Sequence, residues 1–351
     1  SAAAKSETML KRLPIDPYIA LMVCVVAAAS LFPASGQGAV VAGLTAKVAI
    51  AFLFFLYGAR LSPQAAMAGL RHWRLHSTVL LSTYALFPLL GLAVGILVPS
   101  VLADPLYAGI LFLCVLPSTV QSSIAFTSIA QGNVAAALCA ASASNLLGIF
   151  ATPVLVTLML QTQSGGFSFD ILLDIVLQLL APFIAGQLFR PLIGNFVQKH
   201  KQVLGLLDRG SILLVIYVAF SAGVTASIWQ QLGYSDLAVL VATCIVLLGA
   251  MLTITTCVSR YVLRFPREDE VVVVLCGSKK SLATGLPMAS VLFAGSQVGM
   301  IVLPIMLFHQ IQLMVCAVLA KRYARSAITT EDAARMAVAA EEQEFEATPQ
   351  R

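Results

Sequence analysis

Apolar residues fill ten successive blocks of the chain, each near the ~20 residues that an α-helix needs to cross a bilayer. The blocks are 18–33, 39–60, 75–98, 105–130, 133–160, 169–193, 209–229, 236–263, 268–294 and 297–320. Most are unbroken. The fourth carries Pro117-Ser118-Thr119-Val120-Gln121-Ser122-Ser123 in its middle, and proline removes a backbone donor and crowds the preceding turn. The ninth carries Gly277-Ser278-Lys279-Lys280-Ser281 and then Thr284-Gly285-Leu286-Pro287. Both helices are expected to be interrupted near mid-membrane, where irregular backbone survives only if protein or a water-filled cavity covers it. The breaks lie five spans apart, and an odd count reverses the second half. The pattern predicts an all-α polytopic membrane protein of ten transmembrane helices, built as two inverted five-helix repeats. Breaks at matching places in two halves point to a transport site.

Composition narrows the class in the same direction. Of 351 residues 59% are hydrophobic and 11% charged, with a mean hydropathy of +0.93, against about 25% charged in soluble domains. The net charge of +5 does not indicate nucleic acid, because of where the charges fall. Lys47, Lys279 and Lys280 lie inside spans; every other Lys and Arg lies at or beyond a span end that follows an even number of crossings. The odd-side loops, such as PASGQG, PSVLADP and QTQSGGFSFD, contain none. By the positive-inside rule both termini are cytoplasmic, and a bacterial inner membrane is expected. The basic loops serve topology first and contact with anionic lipid second. Residues 18–32 are read as a span and not as a cleaved signal, because the charge pattern needs them.

Three segments follow: an N-terminal stretch 1–14, a ten-span transporter domain 15–322, and an acidic tail 323–351. Residues 1–8, before Met9, are read as an added leader. The tail is expected to form a short cytoplasmic helix, N-capped by Thr330 with Glu331 and Asp332 in its first turn, that frays into disorder. The seven cysteines all lie inside spans with no metal-ligand spacing, so they are read as small buried hydrophobes; no metal or cofactor site is expected. No nucleophile elbow, phosphate loop or His/Cys/carboxylate cluster marks an enzyme.

Three motifs carry a family resemblance: GNVAAALCAASASNLLGIFATPVL at 132–155, the Gly277–Ser281 run, and FHQIQ at 308–312. Together they resemble the bile acid:sodium symporter superfamily, most closely the branch related to the seventh member of solute carrier family ten. The resemblance implies that the discontinuous helices four and nine cross inside a core of spans 3–5 and 8–10. Spans 1, 2, 6 and 7 would form a panel beside it, with substrate in the cavity between. It also implies sodium ligands, and most of those are replaced. The span-nine glutamate position is Leu275, the glutamine position is Lys279, the span-four Ser-Asn pair is Ser122-Ser123, and the span-five hydroxyls fall on Ala137 and Ala141.

An ammonium at bilayer depth costs about 2.5–3.5 kcal/mol even on the lenient insertion scale, so each lysine should face a cavity or a partner. The resemblance places Lys279 in the vacated cation position and Lys280 on the substrate side. The substrate-binding candidates are Thr119, Gln121, Ser122, Ser123, Lys280, Ser281, His309 and Gln310. The ion-site candidates, or its surrogate, are Ser118, Asn145, Ser278, Lys279 and Thr284. Gln312, Ser142 and Ser144 are weaker candidates. Asp170, Asp174 and Gln178 form a polar stripe at the start of span six, and Asp174 is a candidate partner for Lys47. The partners expected are a small organic anion and the lipid bilayer, with proton coupling or uniport in place of sodium coupling. The alternatives are a cation/proton antiporter-like exchanger, for which the central carboxylate is missing, and a non-transporting membrane regulator of ion homeostasis.

Overall fold

The computed structural model describes residues 17–60, 72–98, 102–160, 169–225, 227, 232–293 and 298–346, without the side chains of 17–19, 169–178, Gln198, Lys201 and 327–346. Among the described residues all regular structure is helical. The helices are α1 Pro17–Leu31, α2 Gly36–Arg60, α3 Trp73–Leu97, α4 Asp104–Val115, α5 Gln121–Ile129 and α6 Val134–Leu160. They continue as α7 Phe169–Lys199, α8 Lys201–Thr225, α9 Tyr234–Val262, α10 Arg267–Gly277, α11 Leu282–Leu292 and α12 Val298–Glu346. Among the described residues seven stretches are long and apolar enough to cross a membrane: α2, α3, α6, Gln202–Thr225, α9, Arg267–Leu292 and Val298–Ser326; α4 and Ala20–Leu31 are shorter apolar helices. The chain is a multi-pass helical membrane protein.

One stretch differs from the rest. The apolar window of Arg267–Leu292 is 94% buried inside the protein, whereas the other six windows are 28–39% buried. The α10–α11 pair is therefore the centre of the molecule, and the others turn a side to lipid. α10 packs against α3, α5, α6 and α9, and α11 against α8 and α12. The interruptions fall where the sequence puts them. Pro117 cannot donate to the preceding turn and forces Leu116 into extended backbone (φ −69°, ψ 153°), which ends α4 at Val115. Gly277 closes α10, and Ser281 restarts the helix as the N-cap of α11, its Oγ accepting from the Thr284 N–H at 3.2 Å.

Outside the centre, α2 and α7 pack closely against each other, touching near Gly58 and Gly186. The Lys47–Asp174 pairing and the Asp170, Asp174 and Gln178 stripe lie outside the described side chains. The tail departs from expectation. α12 runs unbroken from Val298 to Glu346, so Thr330 lies inside a 49-residue helix and caps nothing. Nothing in that stretch stops a helix that α12 has already nucleated.

A polar clamp fixes the N-terminal end of α10. Arg260 donates through Nε to Glu270 Oε2 at 3.0 Å and through Nη2 to Oε1 at 2.6 Å, and the Tyr323 hydroxyl donates to Oε1 at 2.7 Å. Asn133 N and Nδ2 bond to the Glu268 carbonyl and to Asp269 Oδ1, at 3.1 and 3.0 Å. The clamp joins α9, α10, α12 and the start of α6. Glu270→Gln keeps the shape but weakens three charge-assisted bonds, so a loss on the order of 2 kcal/mol is expected, read as a lower melting temperature of the purified protein. An unchanged melting temperature would show that the clamp is dispensable.

Candidate functional site: the crossing of two broken helices

The breaks in α4–α5 and α10–α11 lie against each other, and each supplies what the other lacks. A helix end leaves carbonyls unpaired. At the α4 end, Thr152 Oγ1 donates to the Val115 carbonyl at 2.8 Å, the Ser281 N–H to the Pro117 carbonyl at 2.8 Å, and Asn145 Nδ2 to the Ser118 carbonyl at 2.6 Å. At the α10 end, Ser118 Oγ donates to the Cys276 carbonyl at 2.6 Å, and Ser123 Oγ makes a longer 3.5 Å contact with that of Leu275. Asn145 Oδ1 accepts from Thr284 Oγ1 at 2.9 Å, and that hydroxyl lies 2.8 Å from Ser281 Oγ. Gln312, on α12, grips the strand-like break from the far side. Its Oε1 accepts from the Lys280 N–H at 2.9 Å and its Nε2 donates to the Lys280 carbonyl at 2.8 Å.

Lys280 is 1% exposed, and its ammonium sits among main-chain oxygens. Nζ donates to the carbonyls of Thr83 at 2.8 Å, Cys114 at 2.7 Å and Leu116 at 2.7 Å. All three of its hydrogens are used. The Phe87 ring lies 4.2 Å away, within cation–π range. The Thr83 carbonyl is free for a local reason. α3 contains a π-turn at Ser82–Leu86, so the Phe87 N–H reaches Ser82, and the next residue, Pro88, has no N–H to offer.

Lys279 is as deeply buried, at 0% exposure, but its surroundings differ. Its ammonium has one long hydrogen bond, 3.4 Å to Ser122 Oγ, and lies 4.8 Å from the centre of the Phe126 ring. No carboxylate reaches either lysine among the described residues. Ser122 Oγ is 2.7 Å from Thr119 Oγ1, which is 3.2 Å from Ser123 Oγ. Leu275, Ala137 and Ala141, at positions where sodium-coupled relatives are expected to have ligands, are fully buried and apolar. The described residues hold no group of three His, Cys, Asp or Glu side chains suited to a metal.

The crossing thus gathers Ser118, Thr119, Ser122, Ser123, Asn145, Lys279, Lys280, Ser281 and Thr284. Ser278 turns back to its own helix, donating to the Val274 carbonyl at 2.5 Å. Gln121 is exposed, and no hydrogen bond joins it to the crossing. His309 Nδ1 lies 2.9 Å from Gln312 Nε2, one step behind the break, and the Gln310 side-chain oxygen is buried without a hydrogen-bond partner. Ser144 Oγ accepts from the Ser118 N–H at 3.0 Å. Thr83 and Thr152 are absent from the sequence candidates. Thr83 acts through its carbonyl, which no side-chain pattern reveals, although Pro88 five residues later marks the carbonyl that a π-turn would release.

A multi-pass helical protein whose two interrupted helices meet around buried charge is, in class, a membrane transporter. Residues 16–325 match the SBF-like CPA transporter family, and the chain belongs to that family, whose members are transporters and not enzymes. It is 54% identical over 311 residues to the protein named PA2026 of Pseudomonas aeruginosa, covering 88% of this chain and 93% of that one. It is 50% identical over 311 residues to "Putative symporter YfeH" of Escherichia coli, covering 89% and 93%. Sodium/bile acid cotransporter 7 of Rattus norvegicus is 27% identical over 316 residues, covering 89% and 93%. The chain is therefore related to bile acid:sodium symporter-like proteins.

Proposed function

We propose that the protein is a secondary active transporter that moves a small organic anion by alternating access and does so without sodium. Ten spans form two inverted five-helix repeats within 15–322, with both termini in the cytoplasm and the molecule in a bacterial inner membrane. Spans 3–5 and 8–10 make the core and spans 1, 2, 6 and 7 the panel. The enclosed α10–α11 pair and its mutual capping with α4–α5 support this arrangement. The names of the relatives, a symporter and a sodium/bile acid cotransporter, support coupled transport.

The observation that carries the reading is the environment of Lys279. A buried ammonium with a single 3.4 Å hydroxyl partner among the described residues has hydrogens to give, and charge-assisted bonds to a carboxylate or sulfate ester are the strong way to use them. Thr119, Ser122 and Ser123 add hydroxyls on the same side. Sodium is a hard cation that needs several oxygens, and a positive charge with an apolar Leu275 stands where it would bind. Uptake of labelled small carboxylates and sulfate esters into proteoliposomes tests this. Saturable uptake of one or more of them is expected. If none enters and none shifts the melting temperature of folded protein, a non-transporting role replaces this reading. Cation/proton exchange under the same conditions would replace it with an antiporter, which the absence of a carboxylate beside either lysine among the described residues disfavours.

A further inference from the structure

Lys280 poses a different question from Lys279, because it has no hydrogen left to give. Its Nζ is held at 2.7–2.8 Å by three carbonyls from two separate pieces of backbone. Two come from the last turn of α4 and its overrun, Cys114 and Leu116. The third is Thr83 on α3. Without the ammonium, three buried oxygens would converge on one point with no donor. Each carries partial negative charge, and two of them belong to a helix C-terminus, where the macrodipole adds more. Unpaired buried carbonyls are costly and repel one another. Convergent backbone carbonyls that replace a hydration shell are the chemistry by which proteins hold bare monovalent cations. No anionic side chain takes part, so the ring of oxygens recognises a cation as such.

From this geometry we infer that Lys280 is a tethered cation. Its ammonium occupies a carbonyl-built monovalent cation site between α3 and the end of α4, and pins the broken helix in place with an ion that cannot leave. The backbone of Lys280 is anchored in turn by Gln312 and by the neighbouring Ser281–Pro117 bond, so the site and its occupant are one covalent unit. Lys280 is thus a positioning residue that shapes the crossing and does not touch the anion. The inference rests on the crossing alone and holds whether or not the protein carries the anion proposed above.

Removing the side chain should open the site to small cations. In Lys280→Ala, purified in detergent, a lowered melting temperature is expected. Millimolar ethylammonium or propylammonium, whose head and stem replace the missing ones, should raise it again. Tetramethylammonium at equal ionic strength has no N–H to donate and should not, and wild type should respond to neither. If Lys280→Ala does not fold alone, monodisperse protein should be recovered when it is extracted with propylammonium and not with tetramethylammonium. Lys280→Met, which fills the space without charge, should melt lower than wild type. A Lys280→Met variant as stable as wild type, or a Lys280→Ala variant that responds equally to all of these salts or to none, would overturn the inference. The readout is thermal, so its failure is distinguishable from a failure to transport.

Discussion

Lys279→Met is expected to abolish most anion uptake while the purified protein melts no lower than wild type. The two halves of that statement have separate causes. A hydrogen bond to a charged group contributes about 1.5–3 kcal/mol, so losing the ammonium should slow uptake at subsaturating substrate on the order of 10- to 100-fold. For stability, the ammonium now makes one 3.4 Å bond inside an otherwise apolar surround of Phe126, Cys276 and Cys316. Replacing a poorly compensated buried charge with an apolar side chain of similar length is commonly neutral or stabilising. Uptake and melting temperature measured on the same preparation check both halves. Full uptake in Lys279→Met would remove Lys279 from anion recognition. A sharp fall in melting temperature would give it the supporting role assigned here to Lys280.

The second large effect lies far from the crossing. Gly186→Ala should destabilise the α2–α7 contact severely. A Cβ at Gly186 would stand 1.9 Å from the Phe55 carbonyl oxygen and 2.9 Å from the Ala59 nitrogen; one at Gly58 would stand 2.0 Å from the Phe183 carbonyl oxygen. These are backbone atoms that no rotamer change can move, so the helices must separate. Alanine gains about 1 kcal/mol of helix propensity over glycine, but overpacking costs typically 1–3 kcal/mol and sometimes more, and a 1.9 Å approach belongs at the upper end. Gly249→Ala provides the contrast, since a Cβ there meets nothing within 4 Å and the propensity gain stands alone. The prediction is a lower melting temperature for Gly186→Ala and an equal or higher one for Gly249→Ala. Equal stability of Gly186→Ala and wild type would contradict the close approach.

Much of the crossing was legible in the sequence because its causes are local. Pro117 and Gly277 announce broken helices by what their backbones do, and Ser281 announces a restart, whereas Pro287 sits inside α11 without breaking it. The polar run around each break is needed to cap the other, so Ser118, Asn145, Ser281 and Thr284 were visible as a group. The separate roles of the two lysines were not. In the non-helical stretch between Ser278 and Ser281, neighbouring side chains leave the backbone in different directions: Lys280 reaches α3 and α4, and Lys279 reaches α5. Only the packing decides which goes where, and it sets the Lys280 ammonium among three carbonyls and the Lys279 ammonium beside Ser122 and Phe126. The cage itself is made of carbonyls, which every residue has. Gln312 looked weaker than His309 by motif, yet it pairs with both backbone groups of Lys280. Gln121 shows the converse, since a polar residue beside a break can face outward. The continuous α12 was missed because a plausible cap at Thr330 carries little weight against a helix already formed upstream.

The most direct test of the whole account is the sodium dependence of wild-type transport. Initial rates of anion uptake should be measured in proteoliposomes with sodium replaced by choline on both sides at constant ionic strength. With one lysine fixed in a carbonyl cage and another where a sodium ligand would stand, the rate should be the same in both media. A rate that collapses when sodium is withdrawn, and returns when it is restored, would contradict the account at its centre.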